Sequence, residues 1–307
     1  MRRLHADLLL LVSAAVWGIA FLFQKSAMDH VGPVLFVAAR GTVASLALLP
    51  LAVREMQSGS VGWRPVLRAA FGAGLAFLVA AVLQQWGLVT ASVTNTGFLT
   101  ALYVVVTPFI AWAVIGRRPA PLVWGAVALS FCGTWLLGGG TLAAFSQGDA
   151  LVAASAALWA LHVVLVGRAA PLARPIAFTT LQFVVVALGA WALALALEPV
   201  SLAGLGEAWV EIAYVGLLSS ALTFTLFSIA LRHTGPSEAT IIVSTETLFA
   251  AGAAWWLLGE RLPPIGWAGA GLILVATLLV QLAPSRESKA RNRERDGPPA
   301  GREPRPG

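Results

Sequence analysis

Glu246 is an acid near the middle of an otherwise apolar run, and Tyr103 stands 143 residues before it, nearly central in an earlier run. A carboxyl set among apolar residues can hold and pass on a proton, and a phenol hydroxyl can donate to it. Thr96, Thr100, Tyr103 and Thr107 follow one another at spacings of 4, 3 and 4, which places them on one helix face. With Glu246 and Ser244, that face is expected to line a shared central cavity. A second reading stays open for both: Glu246 as a neutral carboxyl bonded to a neighbouring hydroxyl, and the hydroxyls as ordinary helix-packing material.

Arg40 lies eight residues into the apolar run 33–53, about 12 Å from its end. Its guanidinium can take a carboxylate through two parallel hydrogen bonds. Alternatively, its long stem carries the charge toward the membrane surface. Gln182, at the corresponding place of a later run, offers hydrogen bonds without charge. His162 follows Trp159 by three residues and can relay protons or simply bond a neighbouring helix. Gln85 joins the same set from the end of the third run, beside Gln84 and Trp86, the latter a natural interface anchor.

Other chemistries lack their parts. Cys132 is the single cysteine, and the four histidines, His5, His30, His162 and His233, fall in four separate places. Neither a metal site nor a cofactor is therefore expected, and a membrane enzyme with converging acids and histidines is set aside. Lys25-Ser26 is preceded by Gln24, not by the glycine of a phosphate loop, so ATP-driven pumping is set aside too. A channel would want a ring of charges or carbonyls, and none is written here.

The elements that must position these residues follow from composition. Of 307 residues, 58% are hydrophobic and 11% charged, with a mean hydropathy of +0.83. A soluble domain carries about 25% charged residues, so the solvent of this chain is a lipid bilayer, whose core takes about 20 apolar residues per helix. Ten spans are read at 7–27, 33–53, 66–87, 93–115, 121–138, 149–167, 175–197, 208–230, 237–258 and 263–281. The longest connection, 54–65, leaves no room for a water-soluble domain. The net charge of +6 is distributed between spans, which excludes a nucleic-acid surface.

The chain also matches itself. At an offset of 142, Trp17 meets Trp159, Pro33 meets Pro175 and Arg40 meets Gln182; at 143, Leu88 meets Leu231, Gly116 meets Gly259 and Trp124 meets Trp267. This self-match makes the first run part of a repeat and not a secretory signal. The expected fold class is an all-α polytopic membrane protein with ten transmembrane helices in two five-helix repeats, 7–138 and 149–281. Five is odd, so the second repeat must be inverted, an arrangement that suits alternating access to a central site. Ten basic residues (Arg2, Arg3, Arg54, Arg64, Arg68, Arg117, Arg118, Arg168, Arg174 and Arg232) fall on one side, against Lys25 and Arg261 on the other. The basic side is cytoplasmic, so both termini are expected inside, with Asp29, Asp149, Glu198, Glu207 and Glu260 outside. The tail 283–307 alternates basic, acidic, Pro and Gly residues and is expected to be a disordered, basic cytoplasmic segment.

LQQWGL over 83–88 and TNTGFLTALYVVVTP over 94–108 resemble the fourth-helix signature of the EamA family of drug/metabolite transporters. Their partners are ALRHTGP over 230–236, STETLF over 244–249 and WLLGERL over 256–262. The resemblance spans 8–281 and implies ten helices in two inverted repeats that export amino acids, other small metabolites or drugs across the plasma (inner) membrane. Protons are the expected coupling ion, with Glu246 the proton-sensitive group; uptake or facilitated exchange by the same fold is the alternative. One departure is visible: the family usually has Glu-Pro in its ninth helix, whereas Thr247 follows Glu246 here and keeps the backbone donor that proline would remove.

Overall fold

The computed structural model describes residues 3–58, 61–116, 119–137, 139–140, 146–259, 261 and 264–282. The tail 283–307, Arg2, Arg117, Arg118 and Glu260 lie outside the described residues, which contain helices and no strand. In chain order the helices are α1 (Arg3–Ala27), α2 (Pro33–Gln57), α3 (Trp63–Thr90), α4 (Val93–Thr100), α5 (Tyr103–Ile115), α6 (Pro121–Leu137) and α7 (Gln147–Ala169). They continue with α8 (Pro175–Leu197), α9 (Leu202–Glu207), α10 (Trp209–Ala213), α11 (Thr223–Ala230), α12 (Pro236–Val243), α13 (Glu246–Leu258) and α14 (Pro264–Leu282). Residues Tyr214–Leu222, between α10 and α11, form a π-helix.

Among the described residues, eight helical stretches are long and apolar enough to cross a membrane, and two shorter apolar helices, Pro121–Leu137 and Pro264–Val280, accompany them. Exposed side chains such as Leu188, Leu195 and Trp256 form the kind of apolar surface that lipid covers. Helix α2 continues to Gln57 and α3 begins at Trp63, so most of the expected connection 54–65 is helical.

Three expected spans are not continuous α-helices. Span 93–115 divides into α4 and α5 around Ala101–Leu102, and span 237–258 divides into α12 and α13 around Ser244–Thr245. At both places the backbone tightens to i→i+3 bonds: Val104 N–H donates to Ala101 O at 3.0 Å, and Thr247 N–H to Ser244 O at 3.1 Å. In the second break, hydroxyls reinforce the bend by bonding back to the preceding turn, Ser244 Oγ to Ile241 O and Thr245 Oγ1 to Ile242 O, both at 2.7 Å. The missing proline after Glu246 therefore does not keep this helix whole. Span 208–230 contains the π-helical stretch, where the wider turn changes which groups face the bundle.

Helix α2 lies antiparallel to α8, and each caps the other. Glu198, at the end of α8, accepts from Val34 N–H at 3.0 Å and Leu35 N–H at 2.9 Å at the start of α2. Glu55, near the end of α2, accepts from Ile176 N–H at 3.3 Å and Ala177 N–H at 2.7 Å at the start of α8. Unpaired N–H groups and the positive end of the helix dipole make these favourable places for a carboxylate. On α3, the C-terminal carbonyls of Leu88, Val89 and Ala91 are taken by Lys25 Nζ at 2.8, 2.9 and 3.1 Å.

Close packing in a bilayer depends on small residues, because lipid supplies no hydrophobic drive between helices. Gly133 of α6 and Gly269 of α14 face each other so closely that a Cβ on Gly133 would stand 2.7 Å from Gly269 O. Helix α3 packs on α7, and α1 packs on α13, the π-helical stretch and α11.

Candidate functional site

The two helix breaks face a common space. Tyr103 begins α5 and Glu246 begins α13, both are buried, and the phenol hydroxyl donates to Glu246 Oε1 at 3.1 Å. Helix α1 crosses close by, because Gly18 has no side chain: a Cβ there would collide with Glu246 O. The backbone of α1 thus touches the chain turn that presents the carboxyl.

Around this pair lies a cavity lined by residues of both sequence halves. Glu246, Tyr103, Thr100, Arg40 and His162 all line it. Thr100 Oγ1 accepts from Gln84 Nε2 at 2.7 Å, which ties the Gln84 amide of the third span into the wall.

The aromatic wall centres on Phe77. Its ring meets Trp159 edge-on at 4.8 Å between centroids, Phe224 at 4.9 Å and His162 at 5.3 Å. Arg40 Cζ sits 5.9 Å from the centroid of the same ring, at the limit of a cation–π contact. Trp17, whose ring packs on Phe224 at 4.7 Å, donates its Nε1–H to Ser219 O at 2.8 Å, fastening α1 to the π-helical stretch.

Arg40 is 4% exposed, and neither its Nε nor its Nη2 has a hydrogen-bond partner. Snorkelling would have brought the head to the surface; the structure keeps it inside. His162 Nε2 is 3.0 Å from Gln182 Oε1, leaving His162 Nδ1 and Gln182 Nε2 without partners.

The remaining expected residues lie outside this wall. Thr96 and Thr107 spend their hydroxyls on Ser92 O and Tyr103 O one turn back. Ser244 Oγ pairs with Ser130 Oγ at 2.9 Å, and Gln85 Nε2 donates to Gln24 O at 3.1 Å. Gln182 touches the cavity only through His162. Sequence reasoning missed the aromatic wall, Gln24 and Ser219; Phe and Trp in a span read equally well as lipid-facing bulk, and Ser219 acts through its carbonyl.

The EamA-like transporter family model matches residues 4–139 and again 146–282. The chain is similar to an uncharacterised transporter of Archaeoglobus fulgidus, 27% identical over 92% of this chain and 87% of the relative. It is also similar to the threonine/homoserine exporter RhtA of Escherichia coli K12, 31% identical over 56% of this chain and 58% of the relative. A solved crystal structure matches the fold with a TM-score of 0.75 at 17% identity, covering 92% of this chain and 99% of the other.

Proposed function

The chain belongs to the EamA-like transporter family, a family of multi-pass membrane proteins, and from that premise we propose that it is a secondary-active exporter of a small metabolite, an amino acid or a related compound. It works by alternating access in the plasma membrane with both termini in the cytoplasm. The observation that carries this reading is the Tyr103–Glu246 hydrogen bond inside a cavity at two helix breaks. Residues 143 apart in a chain that matches itself at that offset meet only close to the axis relating the two halves, where a transported molecule must pass.

Ten spans in two inverted repeats complete the reading, the two shorter helices α6 and α14 serving as the fifth span of each half. Support comes from the pairing: α2 and α8 cap each other, α6 meets α14, and α3 on α7 is mirrored by α1 on the π-helical stretch and α11. Glu246 is the coupling group. It binds a proton while the cavity faces outward and releases it as substrate loads from the cytoplasm, so that proton entry drives export.

The test is counterflow and gradient-driven flux in proteoliposomes with amino acids, organic cations and carboxylates, with and without a pH gradient. Saturable counterflow accelerated by the gradient is expected. A reconstituted protein that moves none of the panel would overturn the transporter reading, and flux indifferent to the gradient would overturn proton coupling.

A further inference from the structure

Arg40 is the buried cation of the cavity wall, and its free hydrogens share one edge. Nε–H and Nη2–H of a guanidinium lie side by side and point the same way, the geometry that takes both oxygens of one carboxylate. Both nitrogens are buried and without a partner. Among the described residues no carboxylate stands within 4.0 Å of Arg40 to neutralise it. Glu246 shares the cavity but spends Oε1 on Tyr103. Trp159 Nε1, on a ring that lines the same cavity, is a further buried donor with no acceptor. A buried charge left in this condition costs free energy that an anionic ligand would recover.

Much of the wall that Arg40 shares is aromatic carbon. Phe77 lies under the guanidinium, and Trp17, Trp159, Phe224 and Phe227 continue the wall. Such a surface offers an inorganic anion little beyond the Trp159 indole N–H, but it gives broad contact to an apolar body.

We propose that the ligand of this cavity is a carboxylate with an apolar body, its two oxygens held by Nε and Nη2 of Arg40 and its body laid against the rings around Phe77. This rests on the transporter reading for its role but not for its test, since binding is measured without transport. Arg40 then sets specificity: the carboxylate is bound as the anion, and the corresponding amide or amine is refused.

The full chain in lipid nanodiscs would be melted in the presence of phenylacetate, L-leucine and L-phenylalanine, each beside its amide, with inorganic phosphate as a control. At least one acid should stabilise the protein at concentrations at least tenfold below those its amide requires, and phosphate should not. Arg40→Lys should keep the melting temperature of the ligand-free protein and weaken the effective acid at least tenfold, because a charge remains and the fork is gone. If Arg40→Lys fails to fold, the acid–amide comparison on the unaltered chain still decides. Equal stabilisation by acid and amide, stabilisation by phosphate, or none by any acid would overturn the proposal. Flux of an organic cation in proteoliposomes together with any of those three results would leave the transporter reading standing and remove this one.

Discussion

Tyr103 and Glu246, separated by 143 residues, are joined by a 3.1 Å hydrogen bond at the first residues of two helices that each follow a break in a membrane span. The bond couples the two breaks: neither helix end can rotate without moving the donor or acceptor of the other. A change of protonation at Glu246 is therefore felt in both sequence halves at once.

Glu246→Gln keeps the shape and the acceptor for Tyr103 but cannot titrate. Gradient-driven efflux should be lost while substrate exchange persists and becomes flat with pH. Full gradient-driven efflux by the Gln variant would return Glu246 to a packing role. Tyr103→Phe removes a donor whose net contribution is about 1 kcal/mol, so it should displace the pH profile of efflux without lowering abundance. An unmoved profile would take the phenol out of proton handling.

Sidedness has a direct test at two exposed positions, Ser58 and Ser201. With Cys132 replaced by Ala, Ser201→Cys should react with an impermeant thiol reagent on intact cells and Ser58→Cys only after lysis. Labelling of both from outside contradicts the ten-span topology.

Reciprocal capping of α2 and α8 predicts that Glu55→Gln and Glu198→Gln each lower stability by about 1 kcal/mol. The caps stand about 30 Å apart along α2, so the two losses should add to within about 0.5 kcal/mol. Chemical unfolding in detergent would read both. A single variant that loses nothing would make its carboxylate an ornament of the surface.

Gly133→Leu should cost roughly 1 to 3 kcal/mol through overpacking, since Gly269 already occupies the space a side chain would need. Gly125 lies on the same helix with open space before it, and Gly125→Leu should be silent in the same unfolding experiment. Equal losses from the two would place α6 apart from α14.

How much was legible follows from what hydropathy and self-matching can sense. Apolar runs locate the spans, and the offset of 143 picks out Tyr103 and Glu246 together. The breaks at Ala101–Leu102 and Ser244–Thr245 were not legible, because a switch from i→i+4 to i→i+3 bonding leaves hydropathy unchanged. Nor was the π-helical stretch read directly. Yet the offset grows from 142 at Arg40 and Gln182 to 143 at Leu88 and Leu231, and Tyr214–Leu222 falls inside that interval. Nothing local marks Glu55 and Lys25 as capping groups, because the helix termini they cap are distant in sequence.

The paired caps on α2 and α8 also bear on how this molecule can move. Sliding one helix along the other by a single turn, about 5.4 Å, would pull Glu198 from Val34 and Leu35 and Glu55 from Ile176 and Ala177 in the same stroke. Tilting the pair as one piece breaks neither. These two helices thus form a beam pinned at both ends, and the strain of any rocking motion falls on the joints already cut elsewhere, at the two helix breaks and the π-helical turn.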